Sequence, residues 1–208
     1  MVKEEKSKLA EYLSLFALIT LTVIAIANKN ISVFYIIYLF WWDELIKSIF
    51  DIFRFWFKKD QINDTKVYFS NMSGRFFFLM IYFVFILVFF GFMIDFKDYD
   101  LAGLNFEVLF FMNPLFNFSL ASFLMREIYL YKFNDIELKP HHVLSRGIIT
   151  LHLSIILGIF LWALITMKFQ SLEAYATLFS IVPFLLFKIF FEIQEIKFNH
   201  KLRQKSNY

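Results

Sequence analysis

Glu44, Lys47, Asp51 and Arg54 stand at i, i+3, i+7 and i+10 inside a long apolar stretch. At about 100° per residue they fall within about 80° of one another, so a single helix face would carry alternating acid and base. Lys188, Glu192 and Glu195 repeat the pattern at i, i+4 and i+7, and Arg146 and His152 occupy a further apolar stretch. A charge at membrane depth costs roughly 2.5–3.5 kcal/mol on insertion scales, so it persists only when paired, hydrated or used. Carboxylates facing ammonium and guanidinium groups can bind ions, relay protons or neutralise one another. Glu44 is the expected deep acid, His152 a neighbour of the type that changes charge near neutral pH, and Lys188 and Arg146 counter-charges or anion ligands.

Other chemistry finds less support. His141-His142 and His200 lie in basic loop and tail segments, and no H-x-x-x-H or H-E-x-x-H spacing is present. The metal set the sequence offers is His152 with Glu44 and Glu192, assembled across helices. It is the basis of an alternative reading as a membrane-embedded hydrolase of a lipid-like substrate. Ser145, Thr150 and Ser154 lie near His152 without a nucleophile motif. Five scattered Gly make no phosphate loop, and zero Cys excludes disulfides, thiolate metal sites and a Cys nucleophile. No cofactor is identifiable. The purely structural reading is that Glu44–Lys47, Asp51–Arg54 and Lys188–Glu192 pair along their own helices, with Arg54 and Glu195 reaching the headgroups.

The elements that position these residues are membrane helices. Of 208 residues 60% are hydrophobic, against about 45–50% in soluble domains. The apolar residues gather into six runs, over 9–27, 31–57, 75–94, 104–125, 143–167 and 172–196. Each is long enough for a hydrocarbon layer of about 30 Å, and lipid leaves helices as the structure for such runs. The expectation is an all-α, single-domain, six-span bundle over residues 1–208. Ala25-Ile26-Ala27 resembles a signal-peptidase site, but the preceding apolar run has the length of a span. The 32 Phe are the mark of AT-rich codon usage rather than of a cofactor box.

Lys and Arg orient the bundle. Fourteen fall on one side, in the N-terminus, the second loop (including Arg75), the fourth (including Arg126) and the tail; Lys29, Lys97 and Lys168 fall on the other. Both termini are therefore expected inside, with Asp95, Asp98 and Asp100 outside. The three charged stripes then share the inner leaflet, and Glu44 lies about 20 Å from the inner end of its span. Convergence of the stripes gives the expected cytoplasm-facing polar cavity, walled by Trp41, Trp42, Asn113 and Asn117. Asn113-Pro114 also predicts a kink in the fourth span, and the nearly all-apolar 76–93 stretch is expected to face lipid.

Tyr38-Leu39-Phe40-Trp41-Trp42-Asp43-Glu44-Leu45-Ile46, with 50–54 after it, resembles an aromatic-Trp-x-Glu signature of an uncharacterised prokaryotic membrane family. The 140–158 stretch, above all Arg146-Gly147-Ile148-Ile149-Thr150-Leu151-His152, resembles that family's Pro…Arg…His segment, and Lys188 its Lys-bearing last helix. The family is domain of unknown function 6498. The resemblance covers about a third of the chain, matches at Trp42, Glu44, Arg146, His152 and Lys188, and brings no established activity. The family has a further His-containing helix in mid-chain, whereas the third span here has none around Tyr82 and Gly91.

The expected function is binding or conduction of an ion or small polar solute in the prokaryotic inner membrane. The hydrolase, and a non-catalytic subunit of a membrane complex, are the alternatives. The lipid bilayer is the expected partner and nucleic acid is not. A second copy of the chain and a partner membrane subunit both remain open.

Overall fold

The computed structural model describes residues 2–93, 98–133, 143–168 and 176–206. Asp95, Lys97, Lys139, Pro140, His141, His142 and the start of the sixth expected span at 172–175 lie outside the described residues. Among the described residues helix is the regular secondary structure present and no strand occurs.

Seven helices follow in order: α1 (Val2–Ala27), α2 (Val33–Phe57), α3 (Thr65–Phe85), α4 (Tyr99–Leu109), α5 (Pro114–Phe133), α6 (Arg146–Lys168) and α7 (Ala176–Ser206). Their starts are written locally. Ser32 Oγ accepts from Tyr35 N at 3.0 Å to open α2, and Asp64 Oδ1 accepts from Lys66 N and Val67 N, both at 3.0 Å, to open α3. Asp98 Oδ1 caps α4 through Asp100 N at 3.1 Å and Leu101 N at 3.2 Å. Asn113 caps α5 (Phe116 N to Oδ1, 3.0 Å), and Ser145 Oγ caps α6 (Ile148 N, 3.3 Å). Short polar side chains serve here because they satisfy amides that the helix itself leaves unpaired.

Two differences from the sequence reading matter for the site. The 104–125 span is not one kinked helix. Phe111 adopts φ 59°, with Phe111 N bonded to Val108 O at 3.2 Å and Met112 N to Glu107 O at 2.7 Å. That left-handed turn ends α4, and Pro114 starts α5 at the first helical position, where its missing N–H costs nothing. Second, helices run beyond the apolar windows. α3 begins ten residues before Arg75 and α5 continues to Phe133, so Arg75 and Arg126 are helical and buried rather than loop residues.

Among the described residues, three stretches are long and apolar enough to cross a membrane: Lys6–Ala27, Thr65–Met93 and Tyr99–Phe133. Arg146–Leu161 is a shorter apolar helix. α2 lies at the centre, against α3, α5, α6 and α7, while α1 packs on α5 and α7. Its flanks from Phe34 to Phe40 are buried on every side, which suits a helix apolar all round. α3 turns Phe77, Met80 and Val84 outward, the exposure expected of a lipid-facing helix, and continues as π-helical turns over Ile86–Met93, where Val88 is exposed too.

Candidate functional site

Below Trp41 the buried face of α2 changes character. Asp43, Glu44, Lys47, Asp51 and Arg54 follow within little more than three turns, all turned inward. α3 contributes Arg75, α5 Arg126 and Glu127, and α7 Lys188 and Glu192. Five carboxylates thus meet five cations, and each of the ten is between 0 and 9% exposed.

The contacts close into a ring of alternating sign. Arg126 Nη2 meets Asp43 Oδ1 at 2.5 Å, Asp43 Oδ2 meets Lys47 Nζ at 3.3 Å, and Lys47 meets Glu44 Oε1 at 3.0 Å. Glu44 Oε2 then meets Arg75 Nη2 at 3.0 Å, and Arg75 Nη1 meets Asp51 Oδ2 at 3.4 Å. Asp51 Oδ1 accepts from Arg54 Nη1 at 2.8 Å, and Arg54 Nη2 reaches Glu127 Oε2 at 3.5 Å. Glu127 Oε1 returns to Arg126 Nε at 3.1 Å. Lys188 and Glu192 brace one side: Lys188 donates to Asp43 Oδ2 and, at 2.7 Å, to Glu192 Oε2. Glu192 Oε1 also lies 3.3 Å from Arg126 Nη1 and 3.6 Å from Lys47 Nζ. Every member touches at least two of opposite sign, so loss of one contact strands none of them. This is the condition under which buried ions are tolerated.

The same-helix pairs Glu44–Lys47, Asp51–Arg54 and Lys188–Glu192 all form. They do not stand alone, because contacts between α2 and α3, α5 and α7 join them. Of the residues expected at a site, Glu44, Lys47, Asp51, Lys188 and Glu192 come together. Arg146 and His152 do not join them. Arg146 Nη1 donates to Gln194 O at 2.6 Å and its guanidinium lies 5.0 Å from the Phe198 ring, tying α6 to α7. His152 sits five residues beyond Gly147, hence about 140° around α6. It is exposed, and its Nδ1 lies 3.2 Å from Tyr82 Oη. The set His152, Glu44 and Glu192 is therefore not assembled, and among the described residues no group of three His or carboxylate side chains is placed to hold a metal. Glu195 is half-buried and outside the ring's contacts.

The four expected wall residues do other work. Trp41 Nε1 donates to Leu79 O at 2.7 Å, and its ring packs on Trp42 at 5.3 Å and Phe83 at 4.9 Å. Trp42 packs on Phe111 at 5.3 Å. Together with Tyr38 they form an aromatic layer directly above the ring, on the side of Val33. Asn113 caps α5 and donates to Asn30 Oδ1 at 3.2 Å, while Asn117 Nδ2 donates to Phe111 O at 2.7 Å. Both secure the break between α4 and α5.

Four ring members escape a reading by spans: Asp43, Arg75, Arg126 and Glu127. Asp43 adjoins Glu44 and is buried more completely than its 100° offset from Glu44 implies, because α5 and α7 flank that side. Arg126-Glu127 as an adjacent opposite pair at an apolar boundary was the available signal.

Counted along α2 alone, Glu44 is deep; across the bundle it is level with the first turn of α6. Ser145 Oγ donates to Glu44 Oε2 at 3.2 Å, and a Cβ placed on Gly147 would collide with the Glu44 carboxylate. The ring therefore forms a polar layer at one end of the α6 apolar stretch rather than a pocket at its middle.

Residues 1–207 match the model of a family described as a family of unknown function (DUF6498). No curated protein and no solved structure matches the chain.

Proposed function

This chain belongs to DUF6498, a family of unknown function, and from that premise we propose that it binds or conducts an ion or small polar solute across the inner membrane of a prokaryote. In this reading the protein crosses six times, with α4 and α5 together as the fourth crossing and both termini inside. Removing buried Arg75 and Arg126 from the loop count leaves twelve Lys and Arg against three, so the orientation argument survives.

The observation that carries the reading is the closed ring of eight buried charges with Lys188 and Glu192 braced against it, ten in all. Apolar residues of similar volume would hold these helices as well or better. A membrane layer that keeps ten ionisable groups therefore points to use. Because each member has a second partner, pairs can exchange one at a time without leaving a bare charge, which is what a gate requires. The aromatic layer of Trp41 and Trp42 closes the other side. The structure is then the closed state, with Arg54 and Glu192, the most exposed members, at the entrance.

The test is flux in proteoliposomes under a potassium diffusion potential, read with a pH-sensitive dye and, separately, a halide-quenched dye. Flux above protein-free vesicles, cut at least tenfold in a folded Lys188→Met variant, is expected. Rates equal to protein-free vesicles with both dyes overturn the reading.

The completeness of the ring also favours a second reading, a non-catalytic membrane subunit whose charges only lock its helices. It requires silent vesicles and a second membrane polypeptide that copurifies in fixed ratio.

A further inference from the structure

His152 is polar where its surroundings are not. It stands six residues past Arg146 on α6, about 9 Å along the axis from the level of the charge ring. Its own helix face carries exposed Ile149 at i−3 and exposed Ile156 at i+4. On α3, Tyr82 shares a face with half-buried Phe78 and exposed Phe85. His152 is itself exposed, and its Nδ1 lies 3.2 Å from Tyr82 Oη. A phenol is a stronger proton donor than a neutral imidazole, so Nδ1 accepts and Nε2 carries the ring proton. Among the described residues that N–H has no acceptor. Hydrocarbon offers none either, and an unmet donor there costs free energy. Phospholipid ester carbonyls lie at the edge of the hydrocarbon, the level at which α6 begins, and fall short of it. Aromatic faces border the open donor: the Tyr82 ring is 5.8 Å from the His152 ring and 6.2 Å from that of Phe78.

We propose that His152 and Tyr82 form a site for a lipid-soluble quinone, whose ring carbonyl accepts from His152 Nε2. The quinone ring lies against the Tyr82 and Phe78 rings, and its tail runs along Ile149, Ile156 and Phe85 in the lipid. A quinone suits the site because it carries a strong acceptor on a flat ring and reaches this depth without a headgroup. The reduced form suits it as well. A quinol hydroxyl donates to Nε2 once the imidazole proton moves to Nδ1 and Tyr82 Oη accepts it as a hydrogen bond. The proposal rests on the crossings of the proposed function, which put α6 in lipid, and not on ion flux.

The experiment is photolabelling of the full-length protein in liposomes with an azide-bearing benzoquinone that has a decyl tail, mapped by peptide mass spectrometry. Label is expected on 78–89 and 149–156. Decylubiquinone should compete for it saturably, and dodecanol, a tail without carbonyls, should not. His152→Phe removes one hydrogen bond and should raise the competing midpoint roughly five- to tenfold. His152→Gln keeps an N–H donor and should stay within about twofold of wild type. His152 is exposed, so neither variant removes core packing, and unchanged near-ultraviolet circular dichroism checks that both fold. Label spread over every lipid-facing helix, equal competition by dodecanol, or a midpoint blind to His152→Phe overturns the site. A wild-type dimer that His152→Phe splits into monomers also overturns it, by giving the face to a second copy. Labelling does not read flux. Focused label beside silent vesicles would sink transport alone, and flux with diffuse label would sink the quinone site alone.

Discussion

Asp43→Asn is the substitution that weighs most directly whether the ring acts as one unit. Asp43 is fully buried and touches three cations, Arg126 at 2.5 Å, Lys47 at 3.3 Å and Lys188. Removing one partner of a buried pair costs about 3–5 kcal/mol, chiefly through the charge left behind. Here no cation is stranded: Lys188 keeps Glu192 at 2.7 Å, Lys47 keeps Glu44 at 3.0 Å, and Arg126 keeps Glu127 at 3.1 Å. The expected loss is therefore at the lower end, about 3 kcal/mol, or roughly 150-fold in the unfolding equilibrium. Lys188→Met alone should cost a similar amount by leaving one carboxylate in excess. The double variant restores neutrality, so its loss should fall at least about 2 kcal/mol short of the sum. Reversible unfolding in mixed micelles, followed by near-ultraviolet circular dichroism, measures all four corners of the cycle. Coupling within about 0.5 kcal/mol of zero would refute the claim that these helices share one compensated charge layer.

Further outcomes follow from the same coordinates. Lys29 is exposed and closes α1 at φ 54°, so Lys29→Gly should stabilise by up to about 1 kcal/mol, read as a higher unfolding midpoint. His152→Phe and Tyr82→Phe remove a pair outside the ring. Each should leave proteoliposome flux within twofold of wild type, whereas Lys188→Met should not. The chain has no Cys, so a single introduced thiol reports one position. A membrane-impermeant maleimide should label Lys29→Cys in intact cells and Lys59→Cys only after permeabilisation.

Much of the fold is legible because a long apolar run in this composition has one structural solution, whereas the starts of α3 after Asp64 and of α4 after Asp98 lie before the apolar runs at 75 and 104 that hydropathy marks. The site is only half legible, for a physical reason. Hydropathy places a helix end where the apolar run stops, so Arg75 and Arg126 read as loop charges that orient the bundle. In the structure α3 and α5 continue past those points, and the same two residues become the cations that join α2 to its neighbours. The reverse error befalls Arg146 and His152. Their apolar surroundings imply a buried role, but α6 begins at Arg146 and turns His152 to an exposed face. Helical spacing tells which charges share a face on one helix. It does not tell how far along its neighbour that face will meet a partner, because the relative height of two helices is set by loops and caps, not by the pattern on either. Here Ser145 and Gly147 set that height. They bring the start of α6 level with Glu44, which fixes the carboxylate between a helix N-terminus and Arg75. A small residue with no charge of its own thus decides where the deepest acid expected from the sequence comes to rest.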